Sequence, residues 1–438
     1  RTMMKRTFVK ELNSLSGEVV KLCGWVEKLR SQKRMQFLII RDHTGSVQVV
    51  HERETDLELA VAIDQITTES AVEITGRVVI NSGVKLGGLE VVIQSIVVKN
   101  KAETPLPIGD TSSSEVRLDW RFLDLRSKRN LLILQIQTVA ERAMRSFWQS
   151  EGFIEIHSPK LMGSASESGA ELFRVEYFDR YAYLAQSPQF FKQMAMAAGL
   201  DRVFEIGPVF RANPSFTSRH DTEFVSVDVE ISWIESHEEV MQLEERWIRH
   251  ILQTVKTELG EEVQKIFGVE INIPEIPFPR VTMVEAYEIL ENMGHQIGRG
   301  EKGDLDPEGE RLLHRYFSER TGHEFVFVTE YPATVRAFYH MRLEDKPDLT
   351  KSFDLLWKGL EVTTGAQREH RYAILVEQAR QKGLSLEPIQ YYLDFFRYGC
   401  PPHGGYGFGL TRMLMVMLNM KNVREVTYVY RGINRLTP

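Results

Sequence analysis

The chain has 438 residues, 42% hydrophobic and 26% charged, with a net charge of −7. That length exceeds one ordinary core and implies two or three domains, and the net acidity excludes a histone-like binder while leaving room for a local basic face. Two cysteines, Cys23 and Cys400, exclude a disulfide framework or a cysteine-rich zinc site and suit a reducing, cytoplasmic setting. No run approaches membrane-span length and no secretory leader is visible, so no membrane association is expected.

The first hundred residues are strand-rich. Strands are expected at 19–28, 35–41, 46–51, 71–80 and 89–99, with a short helix at 56–66 and a turn at Asp42-His43-Thr44-Gly45. Five strands with a helix after the third is the pattern of an oligonucleotide-binding (OB) barrel. Lys28, Arg30, Lys33 and Arg34 gather around the first turn. Phe37, Gln48 and Glu90 fall on three neighbouring strands, an aromatic to stack a base with an amide and a carboxylate to read base edges. Taken alone, the same three suit ordinary strand positions equally well.

A Pro- and Ser-rich stretch at 102–114 marks a boundary, and a basic segment follows with Arg117, Arg121, Arg126, Lys128 and Arg129, read as a hinge. Apolar residues at helical spacing predict a long helix over 131–150, then a strand over 152–160. Residues 161–173 are small and polar, a lid-like composition whose charges are Glu167 and Glu171. In the next helix Gln189 and Lys192 are three apart and share a face, and a lysine in a first turn opposes the helix dipole unless an anion meets it.

The segment 201–233 reads as two buried strands joined by a polar loop. The loop carries Arg211, Arg219 and His220; the return strand begins at Phe224 and puts Asp228 and Glu230 on one face. Three potential cations beside an aromatic, opposite two acids, suit a nucleoside triphosphate at one end and an ammonium or metal at the other. A hairpin tip alone would be an ordinary solvated loop, but two later stretches add to it: 352–368, with Asp354, Glu361, Thr364 and Arg368, and the glycine-rich 404–412, ending in Arg412.

With these segments in view, the chain resembles a class II aminoacyl-tRNA synthetase, and more narrowly the aspartyl-tRNA synthetases of archaeal and eukaryotic type. The resemblance covers essentially the whole chain, with QSPQFFKQ, RYGCPPHGG and 352–368 as its most specific matches. It implies an α+β protein: a five-stranded OB barrel that binds the anticodon (1–104), a hinge (105–128), and a catalytic domain (129–438) with an antiparallel sheet flanked by helices and a small helical insertion at about 255–345. It implies a homodimer through 130–160, and ATP, L-aspartate, tRNA-Asp and magnesium as ligands.

Residue by residue, the resemblance puts Lys192 and Arg368 on the substrate's side-chain carboxylate and Asp228 on its ammonium, with Ser187, Gln189 and Glu167 assisting. Arg211 meets the α-phosphate, Arg219 and His220 the pyrophosphate, and Phe224 and Arg412 the two faces of adenine. Asp354, Glu361 and Thr364 supply hard oxygen ligands for magnesium. Phe37, Gln48 and Glu90 become anticodon readers. Asn213 stands where the family carries a glutamate that touches the adenine amino group; Thr364 replaces a commoner serine, Thr411 a frequent glutamate, and the end, with Arg431 and Arg435, departs from the usual pattern. Glu27 stands where discriminating relatives carry a bulky aromatic, which tilts the expectation toward an enzyme that also charges tRNA-Asn and relies on a partner amidotransferase. An asparaginyl enzyme (which Lys192 opposes), a barrel-less asparagine synthetase and an inactive RNA-binding paralogue are the competing readings.

Overall fold

Period-two hydrophobicity closes a barrel in the first part of the chain. The computed structural model describes residues 3–165, 170–297 and 303–438, and the chain divides into two units, Arg1–Leu131 and Leu132–Pro438. In the first, β1 (Val19–Ser31), β2 (Met35–Asp42), β3 (Gly45–Glu52), β4 (Ala71–Ile80) and β5 (Leu89–Asn100) close in the order β1-β2-β3-β5-β4. Pairings are antiparallel except β3 with β5. Alternate residues such as Val20, Leu22, Leu38, Ile40, Val47 and Val49 form the core. Helix α1 (Leu57–Asp64) adds Leu59 and Ile63, and Asp56 caps it by accepting from the Leu59 N–H at 3.0 Å. In the hinge, α2 (Ser114–Asp119) and α3 (Arg121–Asp124) turn their basic residues on acids of the same unit: Asp124 pairs with Arg121 at 2.7 Å and Arg117 at 3.5 Å, and Arg126 reaches Glu69 at 3.0 Å.

The second unit starts with α4 (Lys128–Ser150) and β6 (Ile154–Glu155), then a small sheet of β7 (Leu161–Met162), β8 (Arg174–Tyr177) and β9 (Arg180–Leu184). Next come α5 (Gln189–Ala197), β10 (Arg202–Phe210), β11 (Glu223–Ser232), α6 (His237–Phe267), β12 (Arg280–Thr282), α7 (Met283–Asn292), α8 (Pro307–Thr321), β13 (Phe325–Thr329), β14 (Ser352–Trp357) and β15 (Leu360–Gln367). The chain ends in α9 (Tyr372–Gln381), α10 (Gln390–Asp394), β16 (His403–Gly409), α11 (Leu410–Met417) and α12 (Val423–Val426). The main sheet has eight strands in the order β12-β13-β14-β15-β16-β11-β10-β6. From β13 to β10 it is antiparallel throughout, as expected.

Three features differ from expectation. The rims of the sheet are parallel, β12 with β13 and β6 with β10, because helices connect those strands and let the chain cross over. The strand expected over 152–160 shortens to β6, since the chain turns away to place the Ser158 N–H and Lys160 on Glu205, at 2.9 and 3.0 Å. The region 255–345 is not a self-contained helical insertion: α6 runs into it, and β12 and β13 complete the main sheet. Helix α6 opens with a Ser236/Glu239 capping box and ends on Gly268 in the left-handed conformation. Its buried Trp247 stacks on Trp148 and meets Phe408 edge-on, at centroid distances of 5.2 and 5.0 Å, which seals the face of the sheet opposite the site.

Candidate active site

The open face of the sheet holds a cavity of about 390 Å³, a size that suits a small-molecule ligand. Strand periodicity aims Phe224, Ser226 and Asp228 of β11 into it. Glu361 and Thr364 are three apart and on a regular strand would face opposite ways. The register of β15 against β14 skips Val362, and this bulge turns both to one side, where the Thr364 hydroxyl donates to Glu361 at 3.0 Å. Asp354 lies directly across from Thr364. At the start of α11, Arg412 donates to the Glu361 carbonyl at 2.9 Å.

Beneath the cavity two cations meet two acids. Lys192 Nζ lies 3.0 Å from Asp228 and 3.5 Å from Glu230, and also donates to the Tyr406 carbonyl at 3.0 Å. Arg368 Nε donates to Glu230 at 3.1 Å. Lys192, Arg368 and Glu230 are 2%, 3% and 0% exposed. Burial alone would push Glu230 up, yet Arg368 and Lys192 hold it below its usual range. Gly405 makes room for this arrangement, because a Cβ there would run into the Val229 carbonyl and the Glu230 carboxylate. Arg368, Asp228, Ser187 and Gln189 line the cavity; Lys192 does not, and sits behind Asp228. Here Lys192 forms an ion pair with Asp228, the acid expected to take the substrate ammonium. Glu167 lies outside the described residues.

At the other end, Arg211, Asn213, Arg219, His220, Phe224 and Arg412 all border the cavity. The Arg211 guanidinium lies 5.5 Å from the centre of the Phe224 ring. Burial, then the neighbouring Arg412 and Arg219, keep His220 below its usual pKa and so neutral. The Asn213 carbonyl accepts from the Ser215 N–H at 2.9 Å. The loop is clasped by the C-terminal segment: Val423 N–H donates to Ser218 O at 2.8 Å, Tyr430 Oη to His220 O at 2.9 Å, and Thr222 N–H to Arg431 O at 3.0 Å.

Several lining or adjoining residues escaped the sequence reading. Arg336, whose side chain is 9% exposed, lies against the Tyr331 ring at 3.7 Å and pairs with Asp354 at 2.8 Å. Burial pushes Asp354 up to about 7 against the pull of Arg336, and Glu361 adds to the rise. Glu310 of α8 faces Arg219 at 3.7 Å and is pushed up to about 8 by burial and by Glu361. His340 is buried in the wall with Nδ1 on the Ala337 carbonyl and no partner for Nε2 among the described residues. Asp221 also lines the cavity. The segment 331–340 carries no local motif, and the Arg336–Asp354 pair and the bridge of His340 to Arg368 show that it reaches the site.

In the barrel, Phe37, Gln48 and Glu90 are half-buried on neighbouring strands; Gln48 lies across from Glu90 and donates to it at 3.1 Å. Glu27 is the extra residue of a bulge between Val26 and Lys28 and accepts from Ser46 Oγ at 3.1 Å.

Residues 113–429 match the family described as tRNA synthetases class II (D, K and N), and 20–98 match the OB-fold nucleic acid binding domain. A closed five-stranded barrel followed by this sheet and arginine-lined cavity defines a class II aminoacyl-tRNA synthetase, and the chain belongs to that family, whose members use ATP to activate an amino acid and charge tRNA. An aspartate–tRNA(Asp) ligase of Pyrococcus abyssi is 45% identical over 100% of both chains, and an aspartate–tRNA(Asp/Asn) ligase of Aeropyrum pernix 42% identical over 100% of both. Among solved structures, asparaginyl-tRNA synthetase of Pyrococcus horikoshii with asparaginyl-adenylate matches with a TM-score of 0.92 at 30% identity, covering 100% of both chains. An aspartyl-tRNA synthetase of Entamoeba histolytica matches at 0.89 and 31%, covering 100% of this chain and 94% of that one. No helix among the described residues is long and apolar enough to cross a membrane.

Proposed function

We propose that the chain activates L-aspartate with ATP and transfers it from aspartyl-adenylate to the terminal ribose of tRNA-Asp, as a cytoplasmic homodimer joined through 130–160. The observation that carries the reading is the buried quartet of Lys192, Asp228, Glu230 and Arg368 at the cavity floor. Arg368, held by Glu230, offers its guanidinium to the side-chain carboxylate of aspartate, and Asp228, held by Lys192, takes the ammonium. Asparagine would put a neutral amide against the Arg368 guanidinium and forfeit the charge-assisted pair, which is the physical basis for rejecting it.

In the first step the aspartate carboxylate attacks the α-phosphorus in line; the new O–P bond forms as the bond to pyrophosphate breaks. Arg211 leaves the Phe224 ring to meet the α-phosphate, adenine takes its place between Phe224 and Arg412, and Arg219 and His220 contact the departing pyrophosphate. Asp354, Glu361 and Thr364 would hold magnesium. They fit the ion: two hard carboxylates and a hydroxyl lie on facing strands, and Glu361 helps push the pKa of Asp354 upward, a repulsion a cation relieves. Among the described residues no three acidic, histidine or cysteine groups converge as a metal site. When bound, magnesium would neutralise phosphate charge.

Phe37 stacks an anticodon base, with Gln48 and Glu90 reading base edges. Glu27, tethered to Ser46 rather than presenting an aromatic, favours acceptance of tRNA-Asn as well, whose product a tRNA-dependent amidotransferase would amidate. Aminoacylation with labelled aspartate on tRNA-Asp and tRNA-Asn side by side tests both statements: charging of both is expected, charging of tRNA-Asp alone removes the second, and charging of neither removes the reading. An asparaginyl enzyme has the solved asparaginyl structure in its favour; efficient charging with asparagine and none with aspartate would decide for it.

A further inference from the structure

At the nucleotide end of the cavity, Asp221 is an acid without a role in the account above. Asp221 follows His220 in the loop and lines the cavity; its Oδ2 is buried with no hydrogen-bond partner among the described residues. Burial pushes its pKa up to about 7, with Arg412 and Arg211 near enough to pull the other way. The backbone is pinned on both sides, His220 O by Tyr430 and Thr222 N–H by Arg431 O, so the side chain is held in place. A buried unpartnered oxygen is costly unless a ligand supplies the missing bond.

Chemistry identifies that ligand group. With adenine stacked on Phe224, three residues further along, its hydrogen-bonding edge presents a 6-amino donor and the N1 acceptor. A carboxylate accepts from the amino group, and a neutral carboxyl also donates to N1. A purine without the 6-amino group forfeits that bond. The other polar side chain of this loop suited to the task, Asn213, already uses its carbonyl on the Ser215 N–H. We infer that Asp221 reads the 6-amino edge of adenine in this chain and favours ATP over a purine nucleotide that lacks the amino group. The inference rests on the nucleotide site proposed above and adds the residue that gives it base specificity.

Titration calorimetry on the full chain tests it, with ATP and purine riboside triphosphate, which lacks the 6-substituent. The wild type is expected to bind ATP about tenfold more tightly than purine riboside triphosphate. Asp221→Ala is expected to bind ATP and purine riboside triphosphate alike, and its retained affinity for the latter shows that it is folded. Asp221→Asn, whose amide also offers a donor and an acceptor, restores the preference. The inference is overturned if Asp221→Ala keeps the preference, if it weakens both nucleotides equally, or if Asn213→Ala abolishes the preference while Asp221→Ala does not. Because binding is read directly, absence of aspartate-dependent exchange in a chain that still binds ATP would count against the aspartate assignment alone.

Discussion

The two ends of the cavity are built on opposite principles. The amino-acid floor is borne by strands and α5, sealed from water, and its charges are paired with one another before any ligand arrives. The nucleotide end is borne by the loop between β10 and β11, and its cations are half-exposed or exposed, with Arg211 on an aromatic ring and Arg219 at 3.7 Å from Glu310. The floor therefore couples recognition to folding: disturb one partner and a buried charge is stranded. The loop couples recognition to solvent, so each contact there is weaker and screened by salt.

Glu230→Ala should break the floor most severely. It removes the acid that holds Arg368 and faces Lys192, leaving two buried cations to share Asp228. A loss of about 3–5 kcal/mol in unfolding stability is expected, with aspartate-dependent pyrophosphate exchange down by about a thousandfold. Denaturant melts and exchange assays check both. A variant as stable as the wild type would show that the quartet is not the cooperative unit described here.

Lys192→Met sharpens the comparison, since it separates support from contact. Behind Asp228, Lys192 acts through that acid, so its loss should lower stability by about 2–4 kcal/mol and raise the KM for aspartate together. A residue that only touched substrate would raise KM and leave stability alone. That second pattern would return Lys192 to the direct role expected from the sequence.

Arg219→Ala probes the other end. The expected result is a rise of about tenfold in the KM for ATP, a stability change within about 0.5 kcal/mol, and a wild-type KM for aspartate. Raising the salt concentration should shrink the difference from wild type, because an exposed cation is already partly screened. A large loss of stability would mean that this end too is held by buried charge.

The same contrast decides what was legible in the chain. The barrel strands and the hairpin announce themselves by local period, and the structure places them within a few residues of expectation. Asp228 and Glu230 were legible as a pair because two residues on a strand share a face. Their pairing with Lys192 was not legible: the sequence shows an unmatched lysine but not which acid lies beside it. Glu361 and Thr364 share a side only through the bulge at Val362, which periodicity contradicts. Arg336 and His340 reach the cavity from a segment without motif, through the pair with Asp354 and the bridge to Arg368, and Asp221 shows its meaning only once its oxygen is seen to lack a partner among the described residues.

The smallest expected effect lies where the chain ends. The departure of the C-terminal stretch from the family pattern raised the question of whether its usual geometry survives, and Tyr430 and Arg431 answer by clasping the loop at His220 and Thr222. Tyr430→Phe deletes one of these bonds, from a buried hydroxyl to the His220 carbonyl. That carbonyl still borders half-exposed loop, so water can replace the donor, and the net loss should be about 1 kcal/mol. The consequence is a rise of about fivefold in the KM for ATP with an unchanged KM for aspartate, because only the loop end of the cavity depends on the clasp. If both constants rise together, the two ends are mechanically joined through β11, and the separation drawn between them fails.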